Sequence, residues 1–113
     1  MIIRNRDVTK AENIHGGKGF ILRDHLIQGE LLHGKCTYCA CITLDPECEI
    51  GLHQHVNDSE LYYLIKGDAI YNDNGVEVEV HAGDALFCKP GERHAIRNET
   101  NKPVVFVAMM QEA

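Results

Sequence analysis

The chain has no apolar run near the roughly 20 residues that a membrane-spanning helix requires, and it has no surplus of positive charge. Eleven Lys and Arg stand against 17 Asp and Glu, a net charge of −6 with histidines neutral. A phosphate backbone is held by a basic patch, so nucleic acid is excluded as a general partner. The same deficit gives no attraction to an anionic membrane surface. The N-terminus, MIIRNRDVTKAENIHGG, lacks a basic head followed by a long apolar stretch, so no secretory leader is expected and the expected compartment is the cytoplasm. Repeats, low-complexity tracts and linkers are also missing, as is any sustained helical periodicity. Cysteine is present but odd in number: the five at 36, 39, 41, 48 and 88 cannot form a complete internal disulfide framework. Free thiols in a reducing compartment are the expectation.

What remains is a chain of 113 residues, 44% hydrophobic and 25% charged, which fits one globular domain spanning 1–113. Short β-rich runs dominate, separated by turn residues. GFILRDHLI, CTYCACITL, LYYLI, DAIY, VEVEV, ALFC, HAIRN and VVFVAMM read as strands, with ALFC buried. NDNG at 72–75 reads as a hairpin turn in which Asn74 and Gly75 take positive φ. In VEVEV the alternation predicts Val76, Val78 and Val80 facing a core and Glu77 and Glu79 facing water. Residues 7–13 read as a short helical turn or a loop. Turns every 8–12 residues favour an antiparallel sandwich or barrel.

The stretch GLHQHVNDSELYYLIKG holds the densest chemistry. Residues i and i+2 of a strand share a face, so His53 and His55 project together, about 7 Å apart along the chain. Glu60 follows a short polar loop and opens the next strand. Two imidazoles and a carboxylate suit a metal ion, although two surface histidines explain this stretch alone equally well. A second segment, GDALFCKPGERHAIRN, adds His94 just after a Pro90-Gly91 turn.

Together the segments resemble the two motifs of the cupin superfamily. The first, at 47–67, has the form G-x5-H-x-H-x4-E-x6-G, matched by His53, His55, Glu60 and Gly67. The second, at 83–98, has the form G-x5-P-x-G-x2-H-x3-N, matched by Gly83, Gly91, His94 and Asn98. Fifteen residues separate them. The first glycine of the first motif is replaced by Glu47, and the proline of the second by Lys89, with Pro90 next.

The resemblance implies an all-β, antiparallel jelly-roll barrel of about six to eight strands. It implies one divalent transition metal (Fe, Mn, Ni, Co, Zn or Cu) on His53, His55, Glu60 and His94, with positions open for water or a small-molecule ligand. The implied function is a small metalloenzyme acting on an oxygen-bearing metabolite, of oxygenase (oxidoreductase), isomerase or lyase type. The alternative is a non-catalytic small-molecule or metal-binding module.

Tyr62 shares Glu60's face on a regular strand and is the candidate catalytic phenol; a barrel-lining aromatic is the plainer reading. Tyr63 points outward. Cys36 lies on the opposite face from Cys39 and Cys41, so wall packing explains these thiols better than zinc. His15, His25, His33 and His81 match no motif position and read as surface or locally satisfied groups, and HGGKG as a flexible turn. By the same parity Arg97 points away from the barrel. A homodimer is expected, with outward Tyr63 and Ile65 to cover and MIIR able to extend a partner's sheet.

Overall fold

The protein is described by a computed structural model covering residues 1–113. Ten strands form two antiparallel sheets: β1 (Val8–Glu12), β2 (Phe20–His25), β3 (Cys36–Leu44), β4 (Glu49–Gln54), β5 (Asp58–Lys66), β6 (Asp68–Asp73), β7 (Val76–His81), β8 (Ala85–Cys88), β9 (Arg93–Arg97) and β10 (Val104–Glu112). The six-stranded sheet runs β1-β2-β3-β10-β5-β8 and the four-stranded sheet β4-β9-β6-β7. The fold is all-β of the cupin type. Its ten strands exceed the expected six to eight, because β1 and β2 add a hairpin-like pair at the edge of the larger sheet.

Strict alternation on the central strands makes the core. Ala40, Ile42 and Leu44 of β3 face inward beside Val104, Phe106 and Ala108 of β10 and Tyr62 and Leu64 of β5, all with 2% exposure or less. The smaller sheet answers with Ile50, Ala69, Tyr71, Val80 and Ile96. Phe106 sits opposite Ile42 on one side and Leu64 on the other, so its truncation to alanine would cost about 3–5 kcal/mol.

Two sequence expectations fail at sheet edges. Val76 and Val78 are 64% and 45% exposed, and only Val80 is buried. β7 is the outer strand of the smaller sheet, so its first turns extend beyond the opposing sheet and have nothing to pack against. β8 is likewise an edge strand rather than a buried one, and its Phe87 is 47% exposed. Residues 8–12, read as a helical turn or loop, are strand β1, paired in register from Val8–Asp24 to Glu12–Phe20. The MIIR segment is not a strand. The Asn74-Gly75 turn has φ values of 53° and 95°, the two successive left-handed residues of a type I′ hairpin. All five cysteines are free.

Candidate metal centre

His53 is the penultimate residue of β4, His55 lies just past its end, His94 lies on β9, and Glu60 comes from β5 in the opposite sheet. The site therefore spans the two sheets. The backbone device that aims the first two histidines is a bulge. Ile50 pairs with Ile96 and His53 with His94, so β4 carries one extra residue between them. Without it, His53 would fall on the face opposite Ile50. Gly51 sits in the bulge for a second reason: a Cβ there would lie 2.2 Å from the His15 carbonyl oxygen. The 3-10 turn Ile14–Gly16 presses onto β4 at this point, with Gly17 equally intolerant of a side chain against Glu49.

Each ring presents Nε2 to the others. His94 Nε2 lies 3.0 Å from both His55 Nε2 and His53 Nε2. Glu60 Oε1 lies 3.2 Å from His55 and His94 Nε2 and 4.0 Å from His53 Nε2. All four donor atoms lie within 4.8 Å of one another. The opposite ring nitrogens are tied down. His53 Nδ1 is 2.7 Å from the Gly51 carbonyl oxygen and His55 Nδ1 is 2.9 Å from Asp58 Oδ1. Neither oxygen carries a proton to give, so each Nδ1–H donates and each Nε2 of a neutral ring bears a bare lone pair. His94 Nδ1 meets the Tyr71 hydroxyl at 2.8 Å.

Bare lone pairs and a carboxylate oxygen crowded to about 3 Å repel unless a cation lies between them. The spacing also suits one. With bonds of about 2.1 Å, adjacent donors of an octahedral ion stand about 3.0 Å apart and opposite donors about 4.2 Å. Five of the separations, 3.0, 3.0, 3.2, 3.2 and 4.0 Å, fall within this range. The residues therefore fit a divalent transition metal held by three imidazoles and one carboxylate.

The electrostatics agree with a charged cluster. Burial pushes the Glu60 carboxyl upward, but in the metal-free protein hydrogen bonding and charge from protonated imidazoles outweigh it and hold the group down at about 2. Burial pushes His94 down, so its ring favours the neutral form. Tyr62 is 2% exposed and stacks on His94 with centroids 4.9 Å apart. Burial first, and the Glu60 charge second, raise its phenol well above the ordinary range. Tyr62 thus keeps its proton at every physiological pH.

The cluster opens onto a cavity of about 400 Å³ whose walls include Ile14, His15, Arg23, Tyr38, Tyr62 and Met110. Arg23 and Tyr38 are polar wall residues to which the sequence alone assigned no role. His15 is exposed, as its lack of a motif position led one to expect, and its ring also stacks on His53 at 3.9 Å and 12°. Its backbone takes φ 51°, a left-handed conformation costly for a residue with a side chain. Arg23 and Tyr38 face inward from β2 and β3. Cys88 pairs with Glu60 across the sheet, but burial raises its thiol to about 11, which makes it unreactive. His81 stands apart, paired with Asp68 at 2.7 Å on the surface.

The departures at Glu47 and Lys89 are resolved locally. Glu47 adopts φ 65°, the conformation its motif glycine would take freely. Lys89 donates its backbone N–H to Glu92 Oε1 at 2.9 Å, a bond that a proline could not make.

The family model described as Cupin domain matches residues 40–110. A Thermotoga maritima protein described as oxalate-binding is 36% identical over 112 residues, covering 97% of this chain and 93% of that one. A crystal structure from the same organism, described as a predicted oxalate decarboxylase, superposes with a TM-score of 0.96 at 34% identity over the whole of both chains. A cupin 2 conserved barrel domain protein from Salinispora arenicola reaches 0.79 at 22% identity, covering all of this chain and 90% of its own, a likeness of fold alone.

Proposed function

The chain belongs to the cupin domain family, and from that premise we propose that it holds a divalent transition metal on His53, His55, Glu60 and His94 and acts there on a small carboxylic acid of the oxalate class. The observation that carries the reading is the convergence of three Nε2 atoms and Glu60 Oε1, with two of the three tautomers fixed from behind. A bound ion supplies a Lewis acid that polarises a carboxylate or hydroxyl oxygen. The chain's own residues do the rest. Gly51, Asp58 and Tyr71 orient the imidazoles. Tyr62, buried against His94, holds a phenolic proton and is the candidate acid. The apolar wall of the cavity limits water around the acid.

A relative described as oxalate-binding favours the second reading, a non-catalytic carboxylate-binding module. Product analysis after mixing metal-loaded protein with oxalate separates the two. Release of carbon dioxide supports catalysis, and saturable binding with oxalate recovered intact supports the module.

The metal assignment is tested by metal content per chain and melting temperature, with and without chelator. A metal at a hundredfold excess over Kd stabilises the fold by about 2.7 kcal/mol, a melting shift of roughly ten degrees. His94→Ala should lose most of its metal, whereas His81→Ala should match the wild type. Full occupancy in His94→Ala would overturn the assignment.

A further inference from the structure

Arg23 is the one Lys or Arg in the cavity wall, and although the Tyr38 phenol lies within hydrogen-bonding reach, no carboxylate answers its charge. Its Nε is buried without a hydrogen-bond partner, and it is the sole buried side-chain nitrogen or oxygen left in that condition. No carboxylate lies within ion-pair distance of its guanidinium, although Asp58 and Glu60 line the same cavity. By contrast, the exposed Arg6 and Arg97 both have acidic partners. An inward arginine on a strand is costly to bury, and a guanidinium with free donors is built to grip a planar anion with two parallel bonds. Tyr38 flanks it, with a phenol raised to about 12, chiefly by burial, against the pull of the Arg23 charge.

We infer that Arg23 is the specificity-determining residue of this site, and that its guanidinium receives the outer carboxylate oxygens of a small dicarboxylate whose inner oxygens face the His53, His55, Glu60 and His94 cluster. This rests on the carboxylate-binding reading above. Charge favours it: a divalent ion and Arg23 set against Glu60 and Asp58 leave the cavity at +1, which attracts an anion. A monocarboxylate of the same chelate size satisfies the cluster and leaves half the fork unpaired, so Arg23 reads the second charge.

Calorimetric titration of the Mn(II)-loaded full chain with oxalate and with glycolate tests this, since both acids close the same five-membered chelate. The wild type should prefer oxalate. Arg23→Met should lose about tenfold to hundredfold in oxalate affinity, while glycolate, which engages only half the fork, should lose distinctly less. Arg23→Lys, which keeps a charge without the fork, should fall between them. Metal content and melting temperature, measured on the same samples, should stay at wild-type values. An oxalate-to-glycolate ratio in Arg23→Met or Arg23→Lys equal to the wild type overturns the role of Arg23 alone. No preference for oxalate in the wild type overturns it without recourse to any variant. Failure of the wild type to bind metal, or to bind either acid once loaded, overturns the underlying site and Arg23's role with it.

Discussion

Acidifying the chelator-treated protein should remove stability through Glu60 in an amount the structure fixes. Its carboxyl moves from an ordinary value of 4.5 to about 2 on folding. A depressed carboxyl stabilises the fold at pH values above its unfolded value and loses that contribution as pH falls through the folded one. The full contribution is about 3 kcal/mol, and about 2 kcal/mol of it should be gone at pH 3. His94 acts with the same sign at higher pH. Burial lowers its value, so the unfolded chain takes up the proton first, and stability begins to fall below about pH 6.5. The assay is urea unfolding followed by circular dichroism at pH 7, 5, 4 and 3, since the chain contains no tryptophan. Glu60→Gln keeps the shape without the charge. Subtracting its stability from the wild type's removes the effects of surface pairs such as His81–Asp68, which both proteins share. The difference should shrink by about 2 kcal/mol between pH 7 and pH 3, a midpoint change of about 1 M urea. A pH-independent difference would show that Glu60 is not held ionised by the imidazoles and would refute the electrostatic account of the cluster.

Glu47→Gly relieves a left-handed residue in an exposed turn. Set against glycine's greater unfolded-state freedom, it should gain about 0.5–1 kcal/mol, seen as a melting rise of a few degrees; a fall would mean the turn is not strained. The outer face of the larger sheet carries Tyr63, Ile65 and Phe87, between 47% and 51% exposed. Leu61 lies across from Phe87 and from Met109, and Tyr63 across from Val107, so the patch runs over three strands. A second copy of the chain is expected to cover it. Sedimentation at micromolar concentration should show a dimer, and Tyr63→Arg should release monomer; a monomeric wild type would remove the idea. Gly51→Ala should clash with the His15 carbonyl and lower both melting temperature and metal content, whereas Gly75→Ala, whose Cβ meets nothing within 4 Å, should cost stability only through its positive φ and leave metal content unchanged.

Much of this molecule was legible because a strand repeats every two residues. CTYCACITL gives β3 with its bounds, and the parity of Glu60 places Tyr62 inward. Parity fails where a strand has no opposing sheet, as at Val76 and Val78, because alternation states which residues share a face and not whether that face is covered. It also fails at the bulge. Counting from buried Ile50 would send His53 and His55 outward, and the inserted residue at Gly51 reverses the count. The only sequence signal for that reversal is a glycine inside an apolar strand.

Arg23 was legible in the same way and for the opposite reason. GFILRDHLI puts Arg23 on the face of Ile21, which is buried, and Asp24 on the other. A charged residue in phase with core positions is either an edge effect or a group awaiting a partner. β2 lies between β1 and β3, so it is not an edge strand, and the buried, unpartnered Nε excludes a satisfied internal pair. His15 shows the limit of such reasoning. It reaches His53 through a tight turn that closes only because Gly17 and Gly51 let two backbones touch, a contact between residues 34 positions apart that no local periodicity encodes. The four residues of the cluster thus follow from spacing and phase along the chain. The cavity beside them is made by contacts between segments, which no local pattern encodes.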